Sequence, residues 1–546
     1  NYRFVVNYYG GSGNDLVLQW ADTIAAGWGA NDQGQLGAAT GREPWLSPTK
    51  IAGVGKDRGV TLFATSAGYL HSLALDSDGV VSTWGSNLFG ALGTGDGVSH
   101  AAPAAVDASG VLAGKRVVAI AAGGFHSLAL GSDGTVVAWG YNNFGQLGNG
   151  TTTTSGVPVA VDVSGALAGK TVVEIAAGQY HSLALCSDGT LVTWGLNGAG
   201  ALGDGTTTNR PVPVAVDLSG ATSPVASIAA GGNQSFALLQ DGSLLAWGFN
   251  DHGQLGDGTT TTRLSPVLVT VAGPLTDRKV TGIAAGYAHT VVLLNDGTLA
   301  AWGINDRGQL GDGMNGDRLV PVTVSAGALA GKTVVSAAAG KDYTLALCAD
   351  GTLAAWGANA EGELGQGGGG DSNLPVAVLP GSLGVGARFS GVTSSFASSQ
   401  HVLATVALPE SSAPSALQIK SSPVPVTLAD WRLAHFSTAE NAGDAADLAD
   451  PDHDGVTNLM EYAFNLDPKK SDLGSLPVVQ ARDGELVIEF TAPETVTGIL
   501  YGASTATGPA GPWQALPDEG VAPLHRFHIP MDRTHGFMRL EIGTAP

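Results

Sequence analysis

Short runs that alternate between apolar and polar residues cover most of the first 408 positions of the chain. Residues 171–217 contain four such runs, VVEIAAG, HSLALC, TLVTWG and VPVAVD, separated by Gly, Asp-Gly and Thr-rich segments. Alternation over about four to eight residues is typical of β-strands, and Asp-Gly favours the positive φ that tight hairpin turns require. The pattern therefore predicts a unit of four antiparallel strands.

This unit repeats at a nearly constant interval. The dipeptide Trp-Gly occurs in it seven times, each time followed by a Gly-x-Leu-Gly turn, at spacings of 53 to 56 residues. A fixed period of this size with four strands per unit is typical of a β-propeller, so we expect an all-β chain with seven blades. The marker residues are Trp28, Trp84, Trp139, Trp194, Trp247, Trp302 and Trp356. The whole blades are expected near residues 59–106, 116–162, 171–217, 224–270, 278–325 and 332–379.

The ends of the repeat region complement each other. The first Trp-Gly lacks the two strands that should precede it, and residues 384–408 supply a strand pair with no Trp-Gly after it. We expect residues 22–52 to join residues 384–408 in one blade, a velcro closure that removes open sheet edges.

A histidine recurs in the motif Ala-Gly-x-x-His-Ser/Thr, and Gln234 and Tyr343 take its place in two blades. Copies spread over separate blades lie too far apart to share a ligand. Gln and Tyr can replace the hydrogen bonds of a histidine but not its acid–base role, which favours a structural role between strands. The histidines are His71, His126, His181, His289 and His401.

The recurring copies of Ala-Gly-x-x-His-Ser-Leu-Ala-Leu, Asp-Gly-x-Val-x-x-Trp-Gly and Asn-x-x-Gly-Gln-Leu-Gly resemble the regulator of chromosome condensation repeat family over residues 22–408. The resemblance implies a seven-bladed propeller. It also implies several functions: guanine nucleotide exchange on the small GTPase Ran, binding of secreted β-lactamases by a bacterial inhibitor protein, and other ligand-binding or scaffold roles. Fold alone does not choose among them.

Charge excludes one class of partner. The 546 residues include 47 Asp and Glu against 25 Lys and Arg, a formal net charge of −22. Nucleic-acid binding needs a basic face that neutralises phosphates, so no nucleic-acid partner is expected. No apolar run of about twenty residues is present, so we expect no membrane span. No signal peptide is visible, but the chain starts at Asn1 without Met, so this absence carries little weight.

Residues 1–21 are expected to form a β-hairpin, because RFVVNYY and DLVLQW alternate on either side of GGSGN. The stretch resembles the end of a bacterial autotransporter-associated β-helix repeat, which would make the chain the tail of a longer surface protein. The alternative is an ordinary hairpin packed against the propeller.

The composition changes after the repeats. Residues 409–425 are rich in Ser and Pro and are expected to be a linker. Residues 426–472 are expected to form a helix, a calcium loop and a second helix. The twelve residues DPDHDGVTNLME at 450–461 fit the EF-hand template, with Gly at the sixth position for the sharp turn. The expected ligands are Asp450, Asp452, Asp454, the carbonyl of Val456, Asn458 and Glu461.

This loop resembles the Asp-Pro-Asp-x-Asp-Gly calcium loops of dockerin-like and thrombospondin-type bacterial surface modules, and it departs from paired EF-hands because no second full loop follows. A solvated acidic turn is the alternative. Residues 473–546 return to alternating runs and are expected to form a small β-sandwich.

Nucleophile, phosphate-binding and zinc-protease motifs are absent from the sequence, so we expect no enzyme activity. The preferred interpretation is a secreted or cell-surface bacterial interaction or adhesion protein. Its propeller loops would bind a protein or glycan, and calcium would stiffen the C-terminal module. A nucleotide exchange factor for a small GTPase and a polysaccharide-binding lectin or polysaccharide-acting enzyme stay open as alternatives. The candidate contact residues are Phe89, Tyr141, Phe144, Phe249 and Tyr287.

Overall fold

A computed structural model describes the chain as two compact units, Thr23–Leu408 and a second that joins Asn1–Asp22 to Pro409–Pro546. In the first unit the described residues are 23–37, 43–383, 386–395 and 400–408. In the second they are the strand residues 4–10, 15–20, 479–482, 485–491, 499–506, 514–516, 524–530 and 537–544.

Seven four-stranded antiparallel sheets make up the first unit, and six of them are continuous in sequence. We number these blades 1 to 6. Blade 1 contains β5 (Leu62–Ala67), β6 (His71–Asp76), β7 (Val81–Gly85) and β8 (His100–Ala105). Blade 2 contains β9 (Val117–Ala122), β10 (His126–Gly131), β11 (Val136–Gly140) and β12 (Ser155–Ala160). Blade 3 contains β13 (Val172–Ala177), β14 (His181–Cys186), β15 (Leu191–Gly195) and β16 (Arg210–Ala215).

The next three blades repeat this order. Blade 4 contains β17 (Val225–Ala230), β18 (Gln234–Leu239), β19 (Leu244–Gly248) and β20 (Arg263–Leu268). Blade 5 contains β21 (Val280–Ala285), β22 (His289–Leu294), β23 (Leu299–Gly303) and β24 (Arg318–Thr323). Blade 6 contains β25 (Val334–Ala339), β26 (Tyr343–Cys348), β27 (Leu353–Gly357) and β28 (Ser372–Ala377). Short 3₁₀ helices occur in the connections. Gly55–Arg58 precedes blade 1, Leu88–Gly90 lies between its third and fourth strands, and Gly273–Leu275 and Gly327–Leu329 follow blades 4 and 5.

Blade 7 is assembled from both ends of the unit. Its strands, in sheet order, are β29 (Arg388–Ser394), β30 (His401–Ala407), β3 (Thr23–Gly29) and β4 (Trp45–Ile51). Strand β3 pairs with β30 along its whole length, from Thr23 opposite Ala407 to Gly29 opposite His401. The predicted closure is confirmed.

The first strand of each blade lies nearest the axis. Each of these strands contacts the first strand of the next blade, and β29 contacts β5, which closes the ring of seven. Ala, Gly and Ser are frequent at these positions because seven strands converge there and little room is left for side chains. The predicted seven-bladed propeller is confirmed.

The second and third strands form the core. Almost every residue in them is buried, because neighbouring blades cover both faces of each sheet. A strand covered on both sides is apolar throughout rather than alternating. Each hydrophobic cluster therefore spans two blades, as where Trp194 of blade 3 packs with Leu128 and Leu147 of blade 2.

The fourth strand of every blade is the outer edge and carries a proline at the same position. A proline has no N–H to offer a further strand, so it protects an exposed edge from pairing with another chain. The seven residues are Pro48, Pro103, Pro158, Pro213, Pro266, Pro321 and Pro375.

The second unit contains a hairpin and two small sheets. Strands β1 (Phe4–Gly10) and β2 (Asp15–Trp20) pair antiparallel. One sheet has the order β31 (Val479–Arg482), β32 (Glu485–Thr491), β35 (Leu524–Pro530), and the other β34 (Gln514–Leu516), β33 (Ile499–Ala506), β36 (Phe537–Thr544). Strand β2 contacts β36, so the hairpin belongs with the C-terminal strands, which its sequence does not indicate. The sandwich packing stays a prediction.

The expected linker at residues 409–425 and the expected helix–loop–helix at 426–472 lie outside the described residues. Among the residues that are described, no helix is long and apolar enough to cross a lipid bilayer.

Candidate interaction face

The marker tryptophans hold neighbouring blades together. All seven side chains are fully buried. The indole N–H of Trp194 donates to the carbonyl of Gln146 in the preceding blade (2.9 Å), and the hydroxyl of Ser182 donates to the same carbonyl (3.0 Å). Ser182 and Trp194 are cross-strand partners, so both donors reach one acceptor. The carbonyls that receive the seven indoles belong to Glu363, Gln35, Ala91, Gln146, Ala201, Gln254 and Gln309.

The Gly-x-Leu-Gly turn packs on the tryptophan of the next blade rather than on its own. A Cβ on Gly203 would lie 2.7 Å from Nε1 of Trp247, and Gly93, Gly148 and Gly256 stand equally close to the next tryptophan. The two halves of the repeated sequence signature therefore meet across a blade boundary.

The repeated histidines form a second link between blades. In each blade the residue at the start of the second strand reaches the next blade, and the seven hydrogen bonds close into a ring. They join His71 to Ser127 (2.9 Å), His126 to Ser182 (2.9 Å), His181 to Ser235 (2.9 Å), Gln234 to the carbonyl of Gly286 (2.8 Å), His289 to Thr344 (3.0 Å), Tyr343 to the carbonyl of His401 (2.9 Å), and His401 to Ser72 (3.0 Å).

Four of these imidazoles, those of His71, His126, His181 and His289, are neutral. The hydroxyl of Ser182 donates to a carbonyl, so it accepts a hydrogen bond from Nε2 of His126, and the ring proton sits on Nε2. Burial lowers the pKa of His71 and His126 to about 3, and that of His181 and His289 to about 4. Each histidine binds a different neighbour, so the arrangement links blades and offers no shared ligand site.

The blades differ from one another mainly in the sequences of their loops. We call the upper face the one that carries the loops between the first and second strands and between the third and fourth strands of each blade. The lower face carries the hairpins between the second and third strands and the connections between blades. Backbone hydrogen bonds join successive first loops on the upper face, as from Tyr69 N to the carbonyl of Gly124 (3.0 Å) and from Gly124 N to that of Gln179 (3.0 Å).

Six aromatic rings meet on the upper face of blades 1 to 3. The shortest centroid distances are 4.7 Å between Phe89 and Tyr141, 5.1 Å between Tyr69 and Phe125, and 5.4 Å between Phe144 and Tyr180. Each ring keeps part of its surface in solvent, and Phe89 is 41% exposed. We call this set the aromatic cluster: Tyr69, Phe89, Phe125, Tyr141, Phe144 and Tyr180.

Phe89 is held in an unfavourable backbone conformation. Its φ is +62°, and it is one of two non-glycine residues with positive φ in the described part of the chain. That region costs a residue with a side chain about 1–2 kcal/mol. The ring contacts with Phe125 and Tyr141 hold the exposed side chain in place against this cost.

Three of the first loops carry a tyrosine: Tyr69 in blade 1, Tyr180 in blade 3 and Tyr287 in blade 5. Burial raises the pKa of Tyr69 far above its ordinary value, and the neighbouring phenols of Tyr287 and Tyr180 raise it further. The side chain of Gln179 hydrogen-bonds to this phenol. Burial also raises the pKa of Tyr180, so Tyr69 and Tyr180 stay neutral at physiological pH and present an apolar ring with a hydroxyl at its tip.

The upper face of blades 4 to 6 has a different character. Its loops carry eight carboxylates that are exposed or half-buried. Two of them, Asp257 and Asp312, form ion pairs with Arg263 (2.6 Å) and Arg318 (2.7 Å) at the start of the fourth strand. The other six share the loops with two basic residues, Arg307 and Lys341. Arg307 pairs with Asp371 (3.2 Å) and Lys341 with Asp342 (3.5 Å), which leaves the carboxylates in excess. We call this set the acidic sector: Asp251, Asp306, Asp317, Asp342, Glu361 and Asp371.

Charges on the lower face are paired in a regular way. In four blades the aspartate of the hairpin turn forms an ion pair with the lysine or arginine 18 residues before it. The pairs are Lys115–Asp133, Lys170–Asp188, Arg278–Asp296 and Lys332–Asp350. The two faces therefore differ: the lower face carries this repeated ion pair, and the upper face is divided into an aromatic and an acidic part.

Sequence reasoning found part of this face. Phe89, Tyr141 and Phe144 lie in the aromatic cluster, Tyr287 lies beside it, and Phe249 is half-buried at the corresponding position of blade 4. It missed Tyr69, Phe125 and Tyr180. The sequence could have indicated them, because each of these three aromatic residues occupies a variable position of the Ala-Gly-x-x-His motif.

The predicted calcium ligands, Asp450 to Glu461, lie outside the described residues. Elsewhere, within the ranges that the structure describes, no group of three or more His, Cys, Asp or Glu side chains is arranged to hold a metal ion. Cys186 and Cys348 are buried free thiols.

Comparison with known proteins agrees with the fold. The ultraviolet-B receptor UVR8 of Arabidopsis thaliana is 35% identical over 314 residues, which cover 57% of this chain and 69% of that protein. The human E3 ubiquitin-protein ligase HERC2 is 35% identical over 325 residues, 59% of this chain but only 6% of that protein.

Solved structures show the same architecture. Prp20p from Saccharomyces cerevisiae, studied for its binding to Gsp1p and histones, superposes with a TM-score of 0.62 at 24% identity, over 71% of this chain and 92% of that chain. Human WBSCR16 superposes with a TM-score of 0.60 at 24% identity, over 70% and 99% of the two chains. At these identities the likeness shows the fold alone. The model of the RCC1-like domain family matches residues 25–404, and the chain belongs to that family.

Proposed function

We propose that this chain is a non-catalytic interaction protein whose propeller binds a partner protein on its upper face. The observation that carries the proposal is the aromatic cluster, because partly exposed aromatic residues are enriched at the energetic centres of protein interfaces. A binding role is also known for a protein of the same fold, since Prp20p binds Gsp1p and histones.

A matched pair of variants tests this proposal. The tagged full chain and its Phe89→Ser variant serve as baits on a lysate of the source cells, with quantitative mass spectrometry as the readout. Val163→Ser is the control, because Val163 is 62% exposed on the lower face. We expect a defined partner that Phe89→Ser depletes at least about fivefold, a loss of about 1 kcal/mol, and that Val163→Ser retains. Equal recovery by all three baits would contradict the proposal.

Two alternatives need separate assays. Aromatic rings also stack on sugars, so a glycan array distinguishes a lectin from a protein-binding propeller, and product analysis would reveal turnover. Guanine nucleotide exchange is tested by nucleotide release from purified small GTPases. We expect neither glycan binding nor accelerated release.

We further propose that residues 450–461 bind calcium and that the chain works outside the cell or at a cell surface. The spacing of the acidic residues supports the first part, and millimolar extracellular calcium would fill a site of modest affinity. The bacterial origin implied by the resemblance finds no support in the relatives described above, which are plant, human and yeast proteins. Calcium titration calorimetry on the full chain and on Asp452→Ala tests the site, and equal heats from both proteins would refute it.

A further inference from the structure

The upper face presents two kinds of surface side by side. Blades 1 to 3 carry the aromatic cluster, and their loops contain only two aspartates, Asp96 and Asp204. Asp96 bonds to His100 (2.7 Å), and Asp204 forms an ion pair with Arg210 (2.7 Å). This half of the face is therefore nearly uncharged.

The acidic sector begins in the next blade. Asp251, Asp306 and Asp317 are exposed in blades 4 and 5, and Glu361 and Asp371 continue the series in blade 6. Burial raises the pKa of Asp342, and the nearby carboxylate of Asp306 contributes to the shift. Like charges that stand this close create a negative potential that a cationic partner would relieve.

The first loops link the two halves near the axis. The backbone N–H of Gln179 in blade 3 donates to the carbonyl of Gly232 in blade 4 (3.1 Å), and that of Gly232 donates to the carbonyl of Gly286 in blade 5 (3.2 Å). A ligand lying over the central loops would therefore touch aromatic rings at one end and carboxylates at the other.

We propose that the upper face binds a protein segment in which an aromatic or long aliphatic side chain stands next to several lysine or arginine residues. The apolar side chain packs on the aromatic cluster around Phe89, and the basic residues lie over the acidic sector. Charge complementarity selects this occupant. A second copy of the chain would bring the same excess of carboxylates, and a nucleic acid would bring phosphates to a face that already repels them. This inference rests on the proposed interaction role.

The experiment uses a phage-displayed library of random twelve-residue peptides, selected on the immobilised full chain. A parallel selection on Phe89→Ser is sequenced for comparison. We expect the peptides enriched on the unmodified chain to be rich both in Lys or Arg and in Trp, Phe or Leu, and to be depleted on Phe89→Ser. One enriched peptide is then made with a fluorescent label for anisotropy measurements at low and physiological salt.

Variants of each half distinguish the two contributions. We expect Phe89→Ser to weaken the labelled peptide at least about fivefold at any salt concentration, since its contribution is apolar. The double variant Asp306→Asn, Glu361→Gln should weaken binding about threefold to tenfold at low salt and less as salt rises. Asp78→Asn on the lower face is the matched charge control and should leave the affinity unchanged.

Other outcomes would overturn the inference. Enriched peptides that are aromatic but neutral or acidic would remove the charged half of it and leave the proposed interaction face in place. Enrichment that Phe89→Ser does not reduce would place binding elsewhere. Self-association of the chain that Phe89→Ser abolishes would make a second copy the occupant.

Discussion

Glu363 occupies the position at which four other blades have a glutamine: Gln35, Gln146, Gln254 and Gln309. Its side chain is fully buried. Oε2 of Glu363 accepts a hydrogen bond from the backbone N–H of Glu361 (2.9 Å). In the other four blades the glutamine Oε1 accepts the same bond from the residue two positions before it. Oε1 of Glu363 has no partner. A protonated carboxyl has the shape of an amide, and burial raises the pKa of Glu363 to about 7.

The first prediction is that Glu363→Gln stabilises the propeller more as the pH rises. The unfolded chain releases this proton at about pH 4.5, whereas the folded chain holds it until about pH 7. The free energy of unfolding of the wild type therefore falls between about pH 4.5 and pH 7. The variant lacks this loss. We expect its advantage in urea unfolding to grow by about 2 kcal/mol from pH 5 to pH 8. An advantage that does not change with pH would show that this carboxyl does not titrate in that range.

The buried histidines that link the blades have the opposite effect on how stability depends on pH. The pKa of His181 is lowered to about 4, so the unfolded chain binds a proton that the folded chain excludes. Stability is then complete above about pH 6.5 and is lost as the pH falls towards 4. This is the second prediction: His181→Gln loses about 2 kcal/mol less than wild type between pH 7 and pH 4.5, measured by urea unfolding.

Blade 4 supplies the reciprocal variant, because it has Gln234 at the corresponding position. We expect Gln234→His to make the acid sensitivity steeper. Parallel pH profiles for wild type and both variants would contradict the assignment of acid sensitivity to this ring of hydrogen bonds.

At the scale of elements, the turn that follows the third strand is constrained by the next blade. Gly203 and Gly205 lie in one such turn with φ of +66° and +75°, but only at Gly203 would a Cβ meet the Trp247 ring, within 2.7–3.1 Å. Our third prediction is that Gly205→Ala costs about 1 kcal/mol, for its backbone alone. Gly203→Ala should cost at least about 2 kcal/mol more in urea unfolding, because it also displaces a buried indole. An equal loss of unfolding free energy in the two variants would mean that the Trp247 side chain can move to accommodate the added methyl group.

The strands were predictable because each is short, alternating or apolar throughout, and bounded by Gly or Asp-Gly. The closure of blade 7 was predictable because two incomplete units complement each other in the sequence. Contacts between repeats were not. Nothing local shows that Gly203 packs on Trp247, or that Phe125 meets Tyr69, since residues more than forty positions apart are brought together only by the ring.

The candidate interaction face was predictable from the sequence only in part. The repeated residues, which dominate the sequence pattern, link the blades, and the candidate site lies at positions where the repeat varies. The six aromatic residues come from three blades, and blade 1 supplies only Tyr69 and Phe89. The cluster therefore forms only when the three blades lie side by side.

At the scale of the whole molecule, the fourth prediction concerns closure. Removal of residues 23–51 should expose the edge of β30 and take Trp28 away from Phe389, whose ring centroid lies 6.0 Å from that of Trp28. An uncovered, apolar strand edge pairs with other chains. We expect the shortened protein to associate, as measured by size-exclusion chromatography with light scattering. A synthetic peptide of residues 23–51 should restore the monomer, and a shortened chain that stays monomeric would contradict this role of blade 7.

The pairing of Thr23 with Ala407 also determines how the propeller responds to force. The two ends of the unit leave from neighbouring antiparallel strands, at the same end of blade 7. Tension that pulls them apart acts across the β3–β30 pair and breaks its hydrogen bonds one after another, as in the opening of a zipper, instead of loading them all at once. The blade that closes the ring is therefore also the one at which a mechanical load opens it.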